Sequence, residues 1–341
     1  MERPSSKPEG AEALAPTVGI EGYVEAIKGY ISKANGEATP LSKAVLDTVG
    51  SGGKRVRPVV ALLMCEAVSG KYEKALPVAA AFEFAHSASL VQDDIIDESD
   101  TRHGQTAAHK KYGVVSSILI SDMMIFEIFT ELAKYKDSGL PQKRFGQVVS
   151  LVGNAAKLTA EGEYYEMTLQ QKGSTTEREY VRLAELKTGS LFAASAACGA
   201  VVAGASKKVV ESAYEFGLNL GISFQLRDDI LDITGSEMAT GKPLLKDVQN
   251  NASNMVLIHA MEHADPYQKQ ALSSLMFKKW FALTEVDSLM KVLNALGSVE
   301  HSRRLEREFA GRAKGCLAAL PGSEARTKLE KLTEGLVSRT K

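Results

Sequence analysis

The chain has 341 residues, 44% of them hydrophobic, enough to bury one large core or two smaller ones, and no linker interrupts residues 18–338. With 41 Lys and Arg against 42 Asp and Glu the net charge is −1, so no overall field draws the protein to nucleic acid or an anionic membrane, and any anion site must be local. Cys65, Cys198 and Cys316 are far apart and lack metal-ligand spacing, which fits a reducing, cytoplasmic setting, and no apolar run reaches the roughly 18 to 20 residues that span a bilayer.

Residues 1–17 are rich in Pro, Ser, Glu, Ala and Gly, with no apolar h-region and few basic residues. They are expected to be a disordered tail, unlike a signal or transit peptide, ahead of a single domain over 18–341. Thr39-Pro40 reads as an N-cap followed by Pro at the first helical position, with Gly50 and Gly52 ending that helix. Pro58 begins another, which Gly70 stops. Between them, Gly52-Gly53-Lys54-Arg55-Val56-Arg57 sets three cations beside flexible glycines and a helix start, a combination suited to an anion. An exposed basic turn is the plain alternative.

Ala79 to Gln92 is apolar on most faces and so predicts a buried helix, which runs into Asp93-Asp94-Ile95-Ile96-Asp97. No proline falls between Pro141 and Pro243, a stretch that long helices can fill. Within it, Phe216 to Ile233 predicts a second buried helix carrying Asp228-Asp229-Ile230-Leu231-Asp232. Leu289, Val292, Leu293 and Leu296 recur at helical spacing before Gly297, and Leu329, Leu332, Leu336 and Val337 repeat the pattern. No alternating strand pattern of convincing length and no solenoid repeat appears. The expected fold is all-α, a helical bundle around a central cavity.

Positions i and i+4 of a helix share a face, so Asp93 points with Asp97 and Asp228 with Asp232. A single DDxxD is commonplace on a solvated helix, whereas two matched copies in apolar helices are not. Buried carboxylates repel and require a cation. Two such faces opposed across a cavity form an oxygen-rich cage for Mg²⁺, which completes its shell with water and substrate phosphates. Arg102, Lys187-Thr188 and Gly241-Lys242-Pro243 add cations around the motifs; each alone reads as surface.

Together, GGKRVRP at 52–58, HSASLVQDDIIDESDTRHG at 86–104, KTGSL at 187–191, FQLRDDILD at 224–232 and GKPLLKD at 241–247 resemble the trans-isoprenyl diphosphate synthases over nearly the whole chain. The resemblance implies an isoprenoid-synthase-type helical bundle around a deep cavity, usually homodimeric, that joins isopentenyl diphosphate to an allylic diphosphate. It implies that Asp93, Asp94, Asp97, Asp228, Asp229 and Asp232 hold Mg²⁺, about three ions per site. Lys187, Lys242 and Arg102 would hold the allylic diphosphate, and Lys54, Arg57 and His86 the isopentenyl diphosphate. Thr188 and Gln225 would line the pocket near the reacting carbons.

Three positions depart from the family pattern. His103 stands where an arginine normally helps bind isopentenyl diphosphate, Leu245 where a glycine is expected, and Ala252 where a lysine is frequent. On the Asp93 helix, Ser89, Ala85 and Phe82 lie about 6, 12 and 16 Å deeper on the same face. Bulky residues just before the first motif stop chain growth early in the family; Ala88 and Ser89 are small here, which implies geranylgeranyl diphosphate or a longer product. Phe82, or Met124, Ile125 and Phe126 on a neighbouring helix, are candidates for the pocket floor, against ordinary core packing. A class I terpene cyclase and a non-catalytic partner subunit are the competing readings. The repeated DDxxD and GGKRVRP disfavour the first, and six retained aspartates the second.

Overall fold

The computed structural model describes residues 19–34, 39–235, 245, 253–275, 278 and 283–338. The N-terminal tail expected over 1–17, Lys242 and Ala252 lie outside them. Helices α1 (Glu21–Ala34), α2 (Pro40–Gly50) and α3 (Val56–Ser69) open the chain. Thr39 caps α2 as anticipated, its hydroxyl accepting the Ser42 N–H at 3.1 Å with Pro40 at the first position. Gly70 ends α3 in the left-handed region at φ 75°.

α4 (Leu76–Ile96) carries the first acidic motif at its C-terminal end and packs on α3 and on α6 (Val114–Ala133), with the short α5 (Ala108–Tyr112) between. α7 (Gln142–Lys172) and α8 (Glu177–Ala184) lead through a π-helical turn, Glu185–Gly189, into α9 (Ser190–Val202). Every residue of α9 is buried, and most are Ala, Gly, Ser or Cys. Small side chains let α3, α7 and α10 (Lys207–Thr234) all close on it. α10, bearing the second motif, is clasped from its other side by α14 (Ser298–Cys316).

α11 (Met255–His263), α12 (Pro266–Leu275) and α13 (Leu283–Ala295) form a smaller cluster with the end of α10, and α15 (Glu324–Ser338) returns to α3. Leu289, Leu293, Leu329, Leu332 and Leu336 are buried, as their spacing required. The rings of His259 and His263 on α11 and His301 on α14 stack at centroid distances of 4.1 and 4.2 Å.

One element departs from an all-helical expectation. A two-stranded antiparallel hairpin, β1 (Thr101–Arg102) and β2 (Gln105–Thr106), follows the first motif. His103 and Gly104 form its two-residue turn at φ 50° and 74°, the positive values that such turns demand. Strands of two residues are too short for any alternation to show.

Candidate active site

In the first motif the helix places Asp93 and Asp97 together and turns Asp94 inward. Asp97 is exposed and ends α4, its N–H donating to the Asp93 carbonyl at 2.8 Å, while Asp93 is part-buried. Asp94 is buried, and its Oδ1 accepts from Arg102 Nε at 2.9 Å and from Arg102 Nη2. The hairpin exists to bring Arg102 back over the helix end. Asp94, expected among the metal ligands, is thus engaged by Arg102, and Arg102, expected on the allylic diphosphate, has Asp94 as its carboxylate partner.

The second motif repeats this division. Asp228 and Asp232 are part-buried, and Asp229 is 1% exposed. Asp229 Oδ1 accepts from Gln225 Nε2 at 3.0 Å, and Oδ2 from the Met255 N–H at 2.8 Å, so this carboxylate caps α11. Asn254 Nδ2 donates to the Asp229 carbonyl at 3.1 Å. Gln225 in turn accepts from the Thr188 hydroxyl at 2.9 Å, which links the two residues expected beside the reacting carbons. The middle aspartate of each motif therefore binds protein donors rather than pointing with the outer pair at i and i+4.

Lys187 bridges the site to α7. Its Nζ lies 2.6 Å from both Glu163 Oε2 and Glu166 Oε2. A Cβ at Gly162 would stand 2.5 Å from the Lys187 backbone nitrogen, so only glycine lets helix and π-turn meet here. Burial works against the Lys187 charge, yet Glu166, Asp93 and Glu163 outweigh it and raise its pKa. Glu163 and Glu166 escaped the sequence reading because α7 is polar overall and reads as a solvated face; a glycine inside Glu161-Gly162-Glu163, mid-helix, was the available signal.

Burial, aided by Glu163 and Asp97, pushes the Asp93 carboxyl up to about 7 against the opposing pull of Lys187 and Arg102. Carboxylates outnumber cations on this wall, and the donors are all hard oxygens, which fits a divalent ion such as Mg²⁺.

The basic wall is built by α3, α4 and the hairpin. Arg57 is buried with its guanidinium carbon 4.5 Å from the Phe192 ring centre, its carbonyl accepts from Ser195 Oγ at 2.5 Å, and its Nε has no hydrogen-bond partner among the described residues. Burial lowers its pKa to about 10, opposed by the negative charges of Asp228 and Asp93. His86 lies among Arg57, His103, Arg102 and Arg55; burial first, then these charges, hold its pKa well below the usual value. A Cβ on Gly53 would meet His103 Nε2 at 3.5 Å, which sets the hairpin tip against the loop bearing Lys54. Arg57, His86, Arg102 and His103 are thereby brought together, with Lys54 on the loop beside them.

Leu245 occupies the left-handed region at φ 60°, the reason glycine is expected there, and its N–H donates to the Asp232 carbonyl at 3.1 Å. Along α4, Phe82 and Ala88 are buried whereas Ala85 and Ser89 are partly accessible. Met124 is fully buried, but Phe126, 200° further round α6, is 64% exposed and is no part of a floor within one chain.

Residues 38–293 match the family described as polyprenyl synthetase. The chain belongs to the polyprenyl synthetase family. Among its polyprenyl synthetase relatives, the geranylgeranyl diphosphate synthase of Methanosarcina mazei is 31% identical over 88% of this chain and 90% of that protein. The octaprenyl diphosphate synthase of Escherichia coli is 30% identical over 91% and 93%. The crystal structure of geranylgeranyl pyrophosphate synthetase from Pyrococcus horikoshii superposes with a TM-score of 0.89 at 30% identity, covering 96% of this chain and 99% of that one. A Caulobacter crescentus polyprenyl synthase, complexed with calcium and isoprenyl diphosphate, superposes over the full length of both chains with a TM-score of 0.83 at 26% identity. No described helix is long and apolar enough to cross a membrane.

Proposed function

We propose that the protein is a Mg²⁺-dependent trans-prenyltransferase that condenses isopentenyl diphosphate with an allylic diphosphate, giving geranylgeranyl diphosphate or a longer all-trans polyprenyl diphosphate. The carrying observation is Arg57: a buried cation with an unpartnered Nε, influenced by Asp93 on one motif and Asp228 on the other. The relatives' products, geranylgeranyl, geranylfarnesyl and octaprenyl diphosphate, support the length range.

Asp93, Asp97, Asp228 and Asp232 would hold the metal, which when bound supplies positive charge to a leaving diphosphate. Lys187 donates to that same diphosphate from its seat between Glu163 and Glu166. The allylic C–O bond breaks, and its electron pair leaves with the diphosphate. Lys54, Arg57 and His86 hold isopentenyl diphosphate so that its double bond faces the allylic carbon. The new C–C bond forms, and the proton lost from the adjacent carbon passes to the released diphosphate. Thr188 and Gln225, locked to Asp229, border this step, while the apolar walls of α4 and α6 exclude water that would quench the cation.

The reading also takes 18–341 as one cytoplasmic synthase domain acting as a homodimer. Val115, Ile118, Leu119, Phe126 and Phe129 are exposed along α6 at offsets of 3, 4, 11 and 14 residues from Val115, an apolar stripe of the kind that a second copy covers. Incubating the purified protein with Mg²⁺, labelled isopentenyl diphosphate and allylic primers of several lengths, then sizing the products, tests the activity. Absence of condensation with every primer would overturn it in favour of a non-catalytic partner subunit, and cyclic hydrocarbons in place of diphosphates would mark a terpene cyclase.

A further inference from the structure

Arg55 stands between the two cations assigned to isopentenyl diphosphate, Lys54 and Arg57, yet its side chain turns away from them into the protein. Its backbone lies in the left-handed region at φ 50° and ψ 30°, two residues after Gly53, where Gly52 and Gly53 stand at φ 126° and 100°. Glycine tolerates such angles, whereas an L-residue with a side chain holds them only where its surroundings impose them. Here the restraint is visible. The Arg55 guanidinium is buried, forms an ion pair through Nη1 with Glu83 Oε1 on α4, and donates through Nη2 to the Val49 carbonyl near the end of α2.

Glu83 is itself 2% exposed, and its second oxygen has no hydrogen-bond partner among the described residues. One side chain thus ties α2, the start of α3 and α4 together. His86 sits three positions after Glu83 on the same helix, on the same side. Burial lowers the Arg55 pKa to about 10, which leaves it charged at neutral pH. A buried ion pair is a weak device for stability alone, because apolar side chains of similar volume generally do as well or better. A role in fixing one backbone conformation accounts for its presence.

We infer that Arg55 and Glu83 form a positioning pair for the isopentenyl diphosphate site, holding the 52–55 loop in the strained conformation that aims Lys54 and Arg57 at the ligand that His86 also faces. This rests on the synthase reading above. The pair touches neither the acidic motifs nor Lys187, so the allylic site is largely spared. Losing the Glu83 charge frees the loop to relax toward ordinary angles, which spreads Lys54 over many orientations and weakens one substrate selectively.

The test uses full-length enzyme with Mg²⁺, and compares wild type, Glu83→Gln, Arg55→Lys and the double variant Arg55→Met with Glu83→Leu. KM for each substrate, calorimetric affinity for isopentenyl diphosphate and thermal midpoint are measured for each. Glu83→Gln and Arg55→Lys are expected to raise KM for isopentenyl diphosphate about tenfold, the scale of one charged hydrogen bond, and to change the allylic KM less than about twofold. The apolar double variant is expected to recover the thermal midpoint without recovering affinity. Unchanged isopentenyl diphosphate affinity in the single variants, or recovery of both properties in the double, would overturn the inference and leave a purely structural pair. Failure of wild type itself to bind isopentenyl diphosphate would instead overturn the synthase reading, on which the inference stands.

Discussion

Replacing Asp229 by asparagine separates the two roles contained in the second acidic motif. The native carboxylate is 1% exposed and, among the described residues, accepts from the Gln225 amide at 3.0 Å and the Met255 N–H at 2.8 Å. Asparagine has one oxygen. If it serves Met255, its own NH₂ confronts that of Gln225, and Gln225 must turn, which withdraws the acceptor from Thr188. One charged hydrogen bond lost at a buried site costs about 3 kcal/mol. With an unfolding entropy near 2.1 cal/mol/K per residue, that lowers the thermal midpoint of this chain by about 4 °C. Asp228→Asn, at a part-buried position, is expected to leave the metal-free midpoint nearly unchanged while raising the Mg²⁺ concentration for half-maximal condensation. Thermal melts without metal and Mg²⁺ titrations of the rate, run on both variants, compare them directly. If Asp229→Asn melts within about one degree of wild type and shifts the Mg²⁺ dependence as Asp228→Asn does, Asp229 is a ligand and its assignment as a cap is wrong.

Four further outcomes are expected. His103→Arg should tighten isopentenyl diphosphate by roughly tenfold to a hundredfold, the worth of one charged hydrogen bond; unchanged calorimetric affinity would remove His103 from that site. Burial, with His301 and His263 alongside, lowers the His259 pKa from 6.5 to about 4, while Glu177 opposes and Arg304 adds to the shift. The unfolded chain then takes up a proton that the folded one refuses, so the midpoint should fall as pH drops from 6.5 toward 4 and stay flat above, and His259→Gln should lose that part of the slope. Phe82→Ala should lengthen the product by at least one five-carbon unit if Phe82 closes the pocket, at a stability loss of about 3 to 5 kcal/mol; an unchanged product distribution would place the floor elsewhere, with Met124 next. Phe126→Glu should convert dimer to monomer in sedimentation, and a wild-type monomer would refute the α6 interface outright.

The helices were legible because their signals are local. Thr39-Pro40 and Gly70 mark their ends chemically, and the apolar runs before each motif have nowhere to go but the core. The pairing of Asp93 with Asp97 and of Asp228 with Asp232 followed from helical spacing alone. What spacing could not tell was the fate of the middle aspartates, since Asp94 depends on a two-residue hairpin that returns Arg102, and Asp229 on the start of a helix 26 residues away. Glu163 and Glu166 were hidden for the converse reason: a polar helix looks solvated until a partner arrives, and Lys187 arrives only because Gly162 admits its backbone. Phe126 shows the same limit, as an apolar residue on a mostly apolar helix whose outward direction is set by which face α4 covers.

The inward turn of Asp94 and Asp229 also fixes the charge that the cavity presents. Six aspartates suggest enough negative charge for three divalent ions, but the pairs Asp93 and Asp97, and Asp228 and Asp232, supply four. On the proposed reading, those four balance two Mg²⁺ ions, and a third has its counter-charge only in the diphosphate itself. Loading of the last ion and binding of the allylic substrate would then be a single linked event, each drawing the other in, with the empty protein holding less metal than the working one.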